Sequence, residues 1–380
     1  MVPARADPPP LARAVLPDGI GARFVDNGNG LRMHLLEAGA GTGRPLLLLL
    51  HGFPELAYSW RKIMPPLASA GYHVVAPDQR GYGRTTGGEG ADGGDPADFR
   101  MLRLVRDVIG LLPALGQRAA AAVIGHDFGA PVAAWCALLR PDLFPALVLM
   151  SAPFAGPPTL AAAPGATPGM AALDAALAAL VPPRKHYQFY YSSPAAAAEM
   201  EAPAEGMAAF LRAYYHMKSA DWPGNRPARL ASSEAAELAR MPRYYIMDRG
   251  ASMPATVAAA RPSPAEIAAC RWLPEHELAV YAGEFARTGF QGGLHWYRCA
   301  TAGIGREEMQ IFAGRAITVK TLFIAGAADW GVYQAPGGFE RMQTIACADF
   351  RGAHLVAGAG HWVQQEQPDA VVARLRDFLD

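Results

Sequence analysis

Cysteine is scarce: the 380 residues hold 4, Cys136, Cys270, Cys299 and Cys347, with no C-x-x-C pair. That excludes a disulfide-stapled secreted scaffold and a thiolate metal site, and predicts reduced, mostly buried thiols in a cytoplasmic protein. Neither charge is in surplus, since 34 basic residues meet 34 acidic ones. Nucleic acid and anionic membrane therefore have no electrostatic footprint here. No apolar run approaches a membrane span; LLLLL at 46–50 is far too short. The amino terminus, MVPARADPPPLARAVLPDG, is interrupted by prolines and lacks the apolar stretch of a signal peptide. With no HExxH and no complete P-loop, neither a metal nor an organic cofactor is implied. Internal repeats are absent as well.

What the chain does have is apolar content: 51% against 18% charged, enough for a large core. Residues 22–39 read as two strands turned by Asn27-Gly28 and Asn29-Gly30, and PLLLLLHG (45–52) as a strand buried on both faces. A helical stretch at 58–70 follows, then HVVAPDQRGYG as strand and loop, then apolar positions at helical spacing over 99–115 (Leu102, Val105, Ile109, Leu112). AAAVIGHD is a strand, PVAAWCALL a helix and ALVLMSAP a strand. Strand and helix alternate from about residue 45 to residue 153, the signature of a parallel sheet covered by helices. The rhythm breaks in an Ala-Pro-Gly stretch at 155–171 that is expected to help shape a pocket, and 172–300 reads as helical with no strand. Strand signals return at ITVKTLFIAGAAD (317–329) and HLVAGAGHW (354–362), before a closing helix at 368–380. The expected organisation is an arm (1–19), an α/β core in two parts (20–154 and 306–380) and a helical insertion (155–305).

Within this frame VIGHDFGA (123–130) stands out. A strand running into Gly125, a central residue, then Gly129 and a helix is the layout of a nucleophile elbow, G-x-S-x-G, but the central residue is Asp127. A carboxylate needs no base to be nucleophilic at neutral pH and can attack a saturated electrophilic carbon to form an ester. One G-x-D-x-G is equally compatible with a helix-capping turn. Two further residues favour chemistry: Asp329 ends one strand and His361 follows another. The chain order nucleophile–acid–base is the order α/β-hydrolases use. His361 is then the base and Asp329 its orienting partner. HGFPE (51–55) follows the buried strand where an oxyanion loop belongs; the backbone N–H groups of Phe53 and Phe128 are the expected donors. DQRGYGRT (78–85) is read as shaping a loop near the site.

HGFPE, DQRGYGRT, GHDFGA, YQFYYSSPAAAAEME, GFQGGLHWYR and GHW together resemble an α/β-hydrolase-fold epoxide hydrolase of the soluble type, over most of the chain from about residue 20. The resemblance implies a mostly parallel sheet flanked by helices with a helical cap inserted between core strands. It also implies two cap tyrosines that hydrogen-bond the epoxide oxygen, matched by Tyr187 in HYQFYY and Tyr297 in HWYR. A phenol suits that role because an opening epoxide develops an alkoxide far more basic than a phenolate. The implied reaction runs through an Asp127 ester that His361 and water then hydrolyse. A small apolar epoxide and water are the expected partners, with a homodimer as the assembly considered. His51, Pro54, Trp296, Trp330 and Trp362 are weaker candidates for the substrate pocket. The core motifs also fit haloalkane or haloacid dehalogenases. A halide, however, needs side-chain donors beside the nucleophile, and Phe128 and Phe53 offer none; Trp222, Trp272 or Trp296 could substitute. A non-catalytic receptor on the same scaffold would be favoured by loss of a triad member, yet all three positions are filled. A serine esterase is disfavoured because Ser151 follows a different strand.

Overall fold

A computed structural model describes residues 8–87, 94–160 and 170–380. The strands are β1 (Ile20–Asp26), β2 (Leu31–Ala38), β3 (Leu46–Leu50), β4 (His73–Pro77), β5 (Thr86–Gly87), β6 (Ala122–His126), β7 (Ala146–Met150), β8 (Arg184–His186), β9 (Ile246–Asp248), β10 (Ile317–Gly326) and β11 (Cys347–Val356). The central sheet runs β1-β2-β4-β3-β6-β7-β10-β11, with β5 paired to β2. β2 is antiparallel to both β1 and β4, and every pair from β4 onward is parallel. In β3, β4, β6 and β7 every residue is buried, as strands covered on both faces require. Helices including Met101–Ala114, Gly129–Leu139 and Pro368–Leu379 supply the cover. The chain order reverses at β3, with β4 on one side and β6 on the other. The loops after β3 and β6 thus flank a crevice at the carboxyl ends of the strands, where open α/β sheets bind ligands.

Between β7 and β10 the chain is mainly helical, but β8 and β9 pair there as a short antiparallel ribbon, contrary to the strand-free expectation. Three-residue strands are too short to leave an alternating pattern in sequence. The predicted helix at 58–70 divides into a 3-10 turn, Ala57–Trp60, and a helix, Met64–Ser69, with Pro65 and Pro66 at its start, where missing N–H groups cost nothing. The arm is more ordered than its prolines suggest: Leu11 N–H donates to His34 Nε2 (3.2 Å), and Pro9 and Val15 carbonyls accept from Arg84 and Tyr58. Residues 1–7 of the arm and 161–169 of the Ala-Pro-Gly stretch lie outside the described residues. Among the described residues no helix is long and apolar enough to cross a membrane, and all four cysteines are free.

The loop DQRGYGRT is where the inserted helices land on the sheet. Trp296 Nε1–H donates to the Arg80 carbonyl (3.0 Å), Arg84 pairs with Glu284, and Arg287 donates to the Gly83 carbonyl (2.8 Å). At the centre Gly292 lies on Gly81 so closely that a Cβ on Gly292 would overlap the Gly81 carbonyl. Because both partners at this point are backbone, neither can swing aside. Gly292→Ala is expected to cost about 1–3 kcal/mol through overpacking and to lower Tm by a few degrees in calorimetry. An unchanged Tm would mean that the helix Gln291–Ala302 is free to shift.

Candidate active site

Asp127 occupies the turn between β6 and the helix Gly129–Leu139 with φ +51, a left-handed conformation rare for a residue with a side chain. The flanking glycines make the turn passable: a Cβ on Gly125 would overlap Gly129, and one on Gly129 would overlap the Leu50 carbonyl. The carboxylate is thereby aimed at the loop after β3, where Phe53 N–H donates to Asp127 Oδ1 (2.9 Å). The Phe128 N–H has no acceptor among the described residues. Gly52 also faces the carboxylate; its own Cβ would come within 2.8 Å of Asp127 Cγ.

β10 and β11 bring the other two triad candidates to the same end of the sheet. His361 Nδ1 lies 3.1 and 3.3 Å from the two carboxylate oxygens of Asp329, and Asp329 Oδ1 accepts from Gly331 N–H (2.7 Å). With Nδ1 turned to Asp329, Nε2 is the ring nitrogen left facing the nucleophile. It sits 3.2 Å from Asp127 Oδ2 without the alignment of a hydrogen bond. That is the geometry of a base waiting for a proton-bearing third party such as water. Burial opposes ionisation of Asp127, but His361, Lys218 and His126 outweigh it and hold the carboxyl well below the usual range. The carboxylate is therefore charged and nucleophilic throughout the neutral range.

Sequence reading overlooked the supports beneath these groups. Glu55, the last residue of HGFPE, pairs with His126 Nδ1 (2.6 Å), while His126 Nε2–H donates to the His361 carbonyl (2.7 Å). Burial disfavours charge on both, yet each partner sustains the other: Glu55 sits below its ordinary range and His126 above. With acceptors at both ring nitrogens, His126 is an imidazolium. Gln364 and Gln365 donate to Glu55 Oε1 (3.1 and 3.2 Å). Lys218 is the other buried cation. Its Nζ lies 5.3–5.9 Å from the ring centroids of Tyr214, Tyr244, Tyr245 and Trp362, where the ring faces favour a cation. Burial lowers its pKa, against the pull of Asp127, Asp329 and Glu55. The signal for Glu55 and His126 was present in the quoted motifs; Lys218 had none.

The tyrosine candidates come from the inserted helices. The Tyr297 ring packs against Phe53 (5.3 Å between centroids) and Phe128 (5.1 Å), bridging the two loops that face Asp127. Its hydroxyl has no partner among the described residues. Tyr187 lies beside Tyr297 (6.0 Å) and donates its O–H to Gln334 Oε1 (3.1 Å). The weaker pocket candidates act mostly as braces. His51 Nδ1–H donates to the Gly52 carbonyl and Nε2 accepts from Gln79 N–H, fixing the loop after β3. The Pro54 carbonyl accepts from Tyr215 O–H (2.6 Å). Trp296 is committed to Arg80, and Trp362 Nε1–H to the Tyr215 carbonyl (2.9 Å) with its ring against His361. Trp330 is buried, and its indole N–H has no partner among the described residues.

Residues 45–215 match the family described as the alpha/beta hydrolase fold. The chain is 38% identical over 369 residues to Epoxide hydrolase A of Mycobacterium tuberculosis, covering 94% of this chain and 96% of that one. It is 35% identical to Epoxide hydrolase B of the same organism, over 93% and 96% of the two chains. Among solved structures, an epoxide hydrolase from an endophytic Streptomyces superposes with a TM-score of 0.75 at 34% identity, covering 96% of each chain. The potato (Solanum tuberosum) enzyme follows with a TM-score of 0.72 at 31% identity, over 95% and 99% of the two chains.

Burial first, and then the negative charge of Asp127, raise the phenol pKa values of Tyr187 and Tyr297 above the ordinary value. Both therefore stay neutral donors as pH rises past about 10. Ultraviolet phenolate titration of the wild type against Tyr187→Phe and Tyr297→Phe should show identical curves up to that pH. A missing phenolate step below it in either variant would mean that the tyrosine titrates like an exposed one.

Proposed function

This chain belongs to the epoxide hydrolases of the α/β-hydrolase fold, enzymes that open epoxides to vicinal diols, and we propose that its reaction runs through an ester on Asp127. The carboxylate attacks an epoxide carbon, the carbon–oxygen bond breaks, and the electron pair leaves on oxygen. Tyr187 and Tyr297 hydrogen-bond that oxygen and supply its proton. His361 then takes a proton from water through Nε2, and the hydroxide adds to the Asp127 carbonyl carbon. The N–H groups of Phe53 and Phe128 hold the resulting oxyanion. Collapse releases the diol, whose leaving oxygen recovers the proton from His361. The Asp127 carboxylic acid so formed loses its own proton, which makes up for the one the tyrosines gave to the epoxide oxygen, and the carboxylate and both phenols are regenerated.

The observation that carries this reading is the double placement of the Asp127 carboxylate: one oxygen on an N–H donor, the other facing His361 Nε2 at 3.2 Å. A saturated carbon attacked by the free oxygen leaves the ester carbonyl already at the donor. The dehalogenase alternative is not favoured. Of the three tryptophans named for a halide, Trp272 donates to Asp221 (2.8 Å) and Trp296 to Arg80, so that two of the three indole N–H groups are committed elsewhere and only Trp222 is left for an anion. The organisation into arm (1–19), core (20–154 and 306–380) and cap (155–305) remains our proposal; it is supported by the return of sheet strands at β10. We also propose a cytoplasmic location, in keeping with four free cysteines, and a homodimer, to which the exposed Leu160 and Ile311 would contribute apolar surface.

Asp127→Ala should abolish diol formation from aryl and alkyl epoxides; near-normal turnover would mean that water attacks the substrate directly. Tyr187→Phe and Tyr297→Phe should each slow ester formation by about 10–100-fold and nearly stop it together. A double variant that still opens epoxides at the wild-type rate in rapid-quench assays would remove both tyrosines from the mechanism.

A further inference from the structure

The backbone around His361 is held from every side. Its N–H donates to the Lys218 carbonyl (2.9 Å). Its carbonyl accepts from His126 Nε2–H (2.7 Å) and Ser151 Oγ–H (3.1 Å), Ser151 itself being held at φ +65. The residues on either side, Gly360 and Trp362, both donate their N–H groups to Glu366, to Oε2 at 2.9 Å and Oε1 at 3.0 Å. Glu366 Oε2 takes a third N–H from Ala220 (2.8 Å), just beyond the helix Met207–Lys218 of the inserted segment. Gly360 lies flat on this segment, so that a Cβ there would come within 2.7 Å of Ala220 N. One buried carboxyl group, its pKa pushed up to about 8 by burial against the pull of these N–H groups, therefore gathers three backbone donors, two from the loop carrying the base and one from the cap.

We infer that Glu366 is the positioning residue of the base, tying the His361 loop to cap segment Lys218–Ala220 so that hydrolysis of the Asp127 ester depends on this tie while its formation does not. The inference rests on the ester reading above. Glu366 touches neither Asp127 nor Asp329 by any hydrogen bond and reaches His361 only through the main chain. Its removal leaves three N–H groups unpaired, and the loop is then free to move the imidazole relative to the attacking water. Displacements near 1 Å at a reacting group cost on the order of 100-fold. Ester formation uses Asp127, Phe53 and the tyrosines, none of which is held by Glu366. Glu366→Gln keeps the shape but turns one acceptor into a donor facing a donated N–H, so it should act in the same direction as Glu366→Ala.

Rapid-quench single turnovers with styrene oxide test this, with the adduct on the Asp127 peptide measured by mass spectrometry in the wild type, Glu366→Gln and Glu366→Ala. Rates are read per reacting molecule, so a misfolded fraction drops out, and the isosteric variant covers the case in which the alanine variant fails to fold. Ester formation should stay within about threefold of wild type while ester hydrolysis slows by roughly 30-fold or more, so that adduct accumulates and kcat falls with KM. Equal losses in both steps, or unchanged hydrolysis, would overturn the inference. Turnover with no Asp127 adduct in any of the three proteins would remove the ester reading itself, and this inference with it.

Discussion

Everything at this site follows from one crowded turn. Asp127 holds a left-handed backbone between two glycines whose missing side chains let β6, the following helix and the loop after β3 meet at van der Waals distance. Such a conformation costs of order 1–3 kcal/mol and persists only where its surroundings over-determine it. Here they do so on both sides. The register of β3 against β6, Leu50 opposite Gly125, brings the Phe53 N–H to one carboxylate oxygen. The loops after β10 and β11 bring His361 to the other. The same strain recurs one strand over, at Ser151, and serves the same histidine from below.

Charge balance is the second constraint. Three buried carboxylates, Asp127, Asp329 and Glu55, lie close together, and isolated ionised groups at such depth would protonate instead. The protein answers with two buried cations, the His126 imidazolium and Lys218. Neither has an atom in the proposed bond-making steps. Their effect is to keep the carboxylates charged on either side of His361, whose Nε2 faces the nucleophile.

How much of this was legible beforehand depended on how locally it is encoded. The parallel strands announced themselves because a strand covered on both faces must be apolar at every position, as residues 46–50 and 146–150 are. The elbow could be picked out because it follows such a strand directly, whereas the acid and the base, beyond the only partly buried β10 and β11, stood out through their order in the chain. The ribbon of β8 and β9 could not, since three residues carry no period. Lys218 and Glu366 were invisible for a different reason. A lysine at a helix end and a glutamate near a closing helix look like solvated surface residues, and only the docking of the cap turns one into a caged cation and the other into a backbone clamp. DQRGYGRT reads in sequence only as a loop near the site, because what it does is receive another part of the chain.

That last contact bears on how such an enzyme can change over evolutionary time. Where Gly292 rests on Gly81, two stretches more than two hundred residues apart meet with no side chain between them to absorb error. Most joints between a lid and its base tolerate drift, since one large residue can shrink as its neighbour grows. A glycine-on-glycine joint has no such reserve. Recombining this cap with the core of a relative would succeed only when both halves of the joint are inherited together, which makes the pair, rather than the cap, the smallest exchangeable part.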